Sequence, residues 1–189
     1  MVEEQKPSGI PLTGFLVVEK TVAEDGYIAA LMVTDNRGYP LEFKASTPIR
    51  PSLVQKTLYG GQLEHFIGVE LCGKTLIQQT ARKTKLILVP ERHLLDIADQ
   101  VNVNMIALWR AGESIKLEDE LKSVSRGTIK PTSSTFQPVV YEGRFIDDTN
   151  EKEVITFLQE CANRFDLVEA FERIRSALKL LAKEDPRYA

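Results

Sequence analysis

The chain is poor in the residues and patterns that most often identify a function. It has two cysteines, Cys72 and Cys161, and two histidines, His65 and His93. None of them has a Cys or His neighbour at metal-ligand spacing, which excludes a structural zinc site. Far apart and set in helix-like sequence, the cysteines read as small buried apolar residues, with nothing to suggest an oxidising compartment. No G-x-S-x-G is present, so no nucleophile elbow is expected, and neither is a glycine-patterned phosphate cradle. Long apolar runs are missing too. The longest, Tyr27 to Val33, falls far short of the ~20 residues that cross a bilayer. MVEEQKPSG at the N-terminus is acidic and lacks an apolar core, so no signal peptide is expected and a soluble, cytoplasmic protein is. There is no large excess of positive charge. Twenty-four basic against 27 acidic residues give a net charge of −3, which argues against a dedicated nucleic-acid coat without excluding a local contact. The basic residues Lys74, Arg82, Lys83, Lys85 and Arg92 are sparse enough to read as a solvated surface.

What is present is an ordinary globular composition, 43% hydrophobic and 27% charged over 189 residues. That length fits one domain, or one domain with an appendage, and needs no staples. Residues 1–13 are polar and read as a loose tail. GFLVVEK (14–20) has strand composition, and YIAALMVTD (27–35) is apolar throughout, as in a strand covered on both faces. The turn Asn36-Arg37-Gly38 leads into PLEFKAST (40–47), where Leu41 and Phe43 alternate with Glu42 and Lys44. Pro48 and Pro51 end that strand, and Ser52 stands where a helix N-cap would. Helical spacing follows, broken at Gly60-Gly61. A buried strand is expected at TKLILVPE (84–91), a helix at ERHLLDIADQ, and another strand at VNVNMIALWR. With Tyr27–Val33 and Leu86–Val89 both apolar throughout, the two are expected to be neighbours in the sheet, with Ala30 and Leu88 buried. Residues 113–135 read as a linker or long loop, and 136–189 as a strand and two helices packed on a core spanning 14–112. Helix starts are expected at Asp148 with Glu151, and at Asp166 with Glu169.

The order over 14–110 is therefore β-β-β-α-β-α-β, three antiparallel strands followed by strands reached through helical crossovers. This mixed α/β topology is similar to the ribonuclease-H-like architecture over about half the chain. The resemblance implies two metal ions held by carboxylates: an Asp in the first strand, a Glu on the first helix and an Asp at the end of the fourth strand. Here the first strand reads Phe15-Leu16-Val17-Val18, with no acid before Glu19. Glu64 or Glu70 stands on the helical stretch and Glu91 ends the fourth strand, so the essential first position is unfilled.

Other chemistry is sparse. The loop from Thr47 to Gly61 is the densest in polar groups, and Arg50, Gln55, Lys56 and Tyr59 are candidate binding residues on a proline-stiffened segment. His65 reads as a packed helix residue and His93 as an exposed one. On the last helix Phe171, Ile174, Leu178 and Leu181 form an apolar stripe that either covers the domain's own sheet or docks a protein partner or a second copy. The absence of catalytic motifs favours a non-catalytic accessory protein with no cofactor and no metal, which would not cleave nucleic acid. The alternatives are a metal-dependent nuclease or phosphoryl-transfer enzyme using Glu19, Glu64 or Glu70, and Glu91, and a small-ligand or nucleotide sensor using the proline-rich loop.

Overall fold

A computed structural model of the chain describes residues 11–23, 25–112 and 124–188. Seven strands form one mixed sheet: β1 (Thr13–Lys20), β2 (Tyr27–Thr34), β3 (Pro40–Ala45), β4 (Leu86–Val89), β5 (Asn104–Arg110), β6 (Ser125–Ile129) and β7 (Val139–Arg144). Their spatial order is β3-β2-β1-β4-β5-β7-β6. The meander β1–β2–β3 is antiparallel, and β1–β4–β5 are parallel. β7 and β6 then run antiparallel at the far edge. The β2–β3 turn closes at Gly38, whose φ of +80° suits glycine, and an added Cβ would meet the Phe165 ring at 2.8 Å. Two expectations need correction. β1 lies between β2 and β4, so the two all-apolar strands are not neighbours, although Ala30 and Leu88 are fully buried. Part of the expected 113–135 linker is the strand β6, while residues 113–123 lie outside the described part of the chain.

One face of the sheet is covered by two regular helices, α4 (Asp148–Ala162) and α5 (Glu169–Glu184), numbered after the shorter ones below. Phe15, Val17, Ala30, Leu88 and Ile106 from the strands meet Val154, Leu158, Phe171 and Ile174 from these helices. Helix α4 is capped by the Asp147 carboxylate, which accepts from Asn150 N at 2.8 Å, one residue before the expected cap. The Asp166 carboxylate accepts from Val168 and Glu169 N–H groups at the start of α5.

The opposite face is covered differently. α1 (Leu53–Tyr59) opens with a capping box in which Ser52 and Gln55 bond reciprocally, yet none of its residues is buried. After the Gly60-Gly61 break, α2 (Leu63–His65) runs into a π-helical stretch, Phe66–Gly73, and then α3 (Lys74–Gln79). Within this i→i+5-bonded stretch Ile67, Gly68, Cys72 and Gly73 are buried while Leu71 is turned out to solvent. The expected helix after β4 is a 3₁₀ helix, Arg92–Asp99, burying Leu94, Leu95 and Ile97. Both cysteines are buried and free, and no described helix is long and apolar enough to cross a membrane.

Candidate functional site at the carboxyl end of the parallel strands

β1 and β4 pair over only three residues, Thr13 to Phe15 against Leu86 to Leu88. Beyond that point the strands deliver Glu19 and Glu91 to one rim of the sheet, outside the carboxyl ends where open α/β sheets place their ligands. Strand alternation sends Phe15 and Val17 to the α5 face, and Glu19 with them. There the Glu19 carboxylate accepts from Arg175 Nε at 2.6 Å, and Arg175 Nη1 also donates to Glu172 at 2.6 Å. Glu91 keeps a side chain 40% exposed. Its pKa is pushed up to about 7, first by burial and then by the negative charges of Glu64 and Glu19, with Arg175 opposing.

His93 follows two residues later, its Nδ1 3.3 Å from Glu91 Oε2. Burial holds this imidazole below its ordinary pKa against the opposing charge of Glu64. Its ring centroid is 6.1 Å from that of His65, whose Nε2 lies 2.8 Å from Asp96 Oδ2. Asp96 in turn receives Arg144 at 2.7 Å, and Arg144 reaches Asp99 at 2.8 Å. Behind this line Glu142 is 1% exposed, gripped by Arg92 Nε at 2.6 Å and Arg126 Nε at 2.8 Å. The rim is thus a continuous band of charged groups drawn from β1, α2, the 3₁₀ helix, β7, β6 and α5.

The donor set does not fit the two-ion centre that the topology implies. Where that resemblance puts an Asp in the first strand, this chain has Val17 and Val18, both buried. Among the described residues no three His, Cys, Asp or Glu side chains are placed to hold a metal ion. Glu19 is committed to Arg175, and Glu70 turns away to Gln100 at 2.5 Å. Glu91 feels the charges of Glu64 and Glu19, but the three do not converge on a metal site.

The other candidate residues lie elsewhere. Arg50 pairs with Asp25 at 2.8 Å, the Tyr59 ring lies 4.7 Å from that of Phe66, and Gln55 and Lys56 are exposed on α1. Phe171, Ile174 and Leu178 are buried at 1%, 0% and 6% exposure and Leu181 is half-buried, so the stripe covers the domain's own sheet. His93 is half-buried where exposure was expected, and His65 is half-buried too.

One glycine pattern corrects the expectation of no phosphate cradle in the sequence. Gly68 to Thr75, GVELCGKT, has the lettering G-x-x-x-x-G-K-T of a phosphate-binding loop. The chain makes it helix rather than loop, so its amides bond along the helix and the two glycines serve packing. An added Cβ at Gly73 would stand 2.4 Å from Ile97 Cδ1 and 2.6 Å from the Gly68 carbonyl oxygen. Arg175, His93 and Glu142 escaped sequence reasoning. For Glu142 a signal exists: it is the lone acid inside the strand VVYEGRF, two residues after a run of apolar side chains and two before Arg144.

The order of the strands, the helical layers on both faces and the charged rim together define a ribonuclease-H-like fold. No protein-family model matches the chain, and no curated protein resembles it in sequence. Among solved structures it is similar to Endonuclease V from Bacillus subtilis, with a TM-score of 0.60 and 11% identity, over 93% of this chain and 84% of that one. It also aligns with Ciona intestinalis Endonuclease V in complex with inosine-containing DNA (TM-score 0.49, 10% identity, 93% and 88% covered). Marinitoga piezophila Argonaute, in complex with a guide RNA, aligns at a TM-score of 0.41 and 12% identity, over 78% of this chain and 25% of that one. The fold shared with the Bacillus Endonuclease V corrects the expectation of a non-catalytic accessory protein.

Proposed function

We propose that this chain is a nucleic-acid-directed hydrolase whose reactive centre is the acidic rim at Glu91, Glu64 and Glu19, an irregular version of a nuclease site. The observation that carries the reading is the place of Glu91. It is a half-exposed carboxyl at the carboxyl end of β4, on a nuclease fold, beside two further carboxylates and with its pKa near 7. Such a group is poised for proton transfer at neutral pH. As a carboxylate it takes a proton from the attacking water as that water's oxygen bonds to phosphorus, and solvent water protonates the sugar oxygen as its bond to phosphorus breaks on the opposite side. His93 Nδ1, 3.3 Å away, orients the carboxyl. No step is assigned to a metal, because the donors do not form a site for one.

The test is cleavage of labelled single-stranded and duplex DNA and RNA, with and without inosine, in Mg²⁺, in Mn²⁺ and in chelator. Phosphodiester hydrolysis that falls about 10²-fold or more in Glu91→Gln is the expected result. No cleavage of any substrate, or equal cleavage by the variant, refutes the reading.

A further inference from the structure

Next to the rim, a groove of about 540 Å³ runs between the end of β1 with its following turn and the second half of α5. Lys20 and Val22 line it from β1 and the following turn, Arg175, Lys179 and Lys183 from α5, and the half-buried Tyr188 from the turn after α5, its ring packed against the core and 5.9 Å from the Arg187 guanidinium. Glu19 lies in its floor and is the residue it shares with the acidic rim. The walls are built before any ligand arrives. The turn wall is tied by the Thr21 N–H to the Gly26 carbonyl at 3.0 Å and by Thr21 Oγ1 to Asp25 at 2.7 Å. The helix wall rests on the core through Leu178.

The charge balance of this groove runs against that of the whole chain. Arg175 answers Glu19, whereas Lys20, Lys179 and Lys183 are exposed and form no ion pair with a described residue. Most arginines in the fold are tied to carboxylates, at Arg92, Arg126, Arg144, Arg173 and Arg175 among others. A chain of net charge −3 thus keeps a local positive excess in a concavity that also has the half-buried Tyr188 ring in its lining. Cationic walls tracking a backbone, with a ring on which a base can stack, are the chemistry of single-strand recognition. The volume agrees. It is of the size that holds one or two nucleotides.

We propose that this groove binds the single-stranded segment flanking the reacting phosphate, with Lys20, Lys179 and Lys183 on backbone phosphates and Tyr188 under a base. The proposal rests on the nuclease reading for its substrate class, and Glu19 marks where the two surfaces join.

The test measures binding of the full chain to a short fluorescein-labelled single strand by anisotropy, in chelator, at roughly 50 and 200 mM salt. The variants are the triple reversal Lys20→Glu, Lys179→Glu, Lys183→Glu, and separately Tyr188→Ala. All three lysines are exposed, and circular dichroism checks that the fold is kept. The triple variant is expected to bind at least about tenfold more weakly, with the salt slope reduced by about 2 for three lost phosphate contacts on a single strand. Tyr188→Ala is expected to lose about tenfold. Unchanged affinity in a folded triple variant, or tighter binding of the blunt duplex than of the single strand, overturns the proposal. The two readings fail separately. Groove-dependent binding without cleavage leaves this proposal standing and removes the nuclease. Glu91-dependent cleavage that the triple variant retains at wild-type affinity does the opposite.

Discussion

The two faces of this sheet are covered by different kinds of helix. On one side α4 and α5, of 15 and 16 residues, run as uninterrupted α-helices and bury Val154, Leu158, Phe171 and Ile174 against the strands. On the other side the cover is a series of short pieces: an α1 that buries nothing, a π-helical stretch and a 3₁₀ helix. Both π and 3₁₀ segments have poorer hydrogen-bond geometry than an α-helix and rarely run long. That irregular layer nevertheless supplies Glu64, His65, Glu91, His93 and Asp96 to the rim. The rim's titratable groups therefore come mainly from the irregular layer, although both layers bury large apolar side chains, with Arg175 the main charged group that the regular layer lends to the site.

The comparison can be broken at several points. The largest effect is expected from Phe171→Ala, which empties a fully buried position packed edge-on to Phe15 with ring centroids 5.6 Å apart. It should cost about 3–5 kcal/mol in urea denaturation. A cost below about 1 kcal/mol would mean that the regular face contributes little to stability. Gly73→Ala tests the irregular layer. Helix propensity alone would make alanine better by about 1 kcal/mol. The contacts with Ile97 and with the Gly68 carbonyl instead predict a loss of about 1–3 kcal/mol, read from the thermal midpoint.

Glu91→Gln should sharpen the contrast through pH. Because folding raises this carboxyl from 4.5 to about 7, its contribution is present in full below pH 4.5 and is lost as pH rises through 7. Removing the charge should therefore stabilise the protein at pH 8 by about 1–2 kcal/mol, a figure discounted for the group's exposure, and do little at pH 4. Equal effects at both pH values would place the carboxyl outside the coupled rim. The smallest change is expected at Leu58, 78% exposed on α1, where alanine should move stability by less than about 0.5 kcal/mol. A larger loss there would show that α1 is held by something beyond the described contacts.

Much of this architecture is legible in the sequence, for physical reasons that can be named. The β1–β3 meander follows from alternation and turn residues, and the parallel strands from short apolar runs separated by helical stretches. The neighbours of β1 do not follow, because an all-apolar strand specifies burial on both faces and not which strand lies beside it. β6 reads SRGTI, short and polar, and lies at a sheet edge where only Ile129 is buried. The π-helix is hidden because its period is neither 3.6 nor 2, so Leu71 looks like a core residue and is not. At the site Glu19, Glu64 and Glu91 can be named from their places along the chain. What Arg175 and Glu142 do cannot, since each depends on a partner brought close only by the tertiary fold.

The three-residue pairing of β1 with β4 also bears on how the molecule assembles. β1 finds β2 across a short turn, whereas it finds β4 only after the chain of α1, α2, the π stretch and α3 has been laid down. Loop closure over that distance makes this contact slow relative to the meander. Glu19 and Glu91 come into register only through it, so the rim should be the last part of the molecule to form on refolding. Pulse-labelling of amide hydrogens should find β2 protected before Leu86 to Val89 if assembly runs in that order.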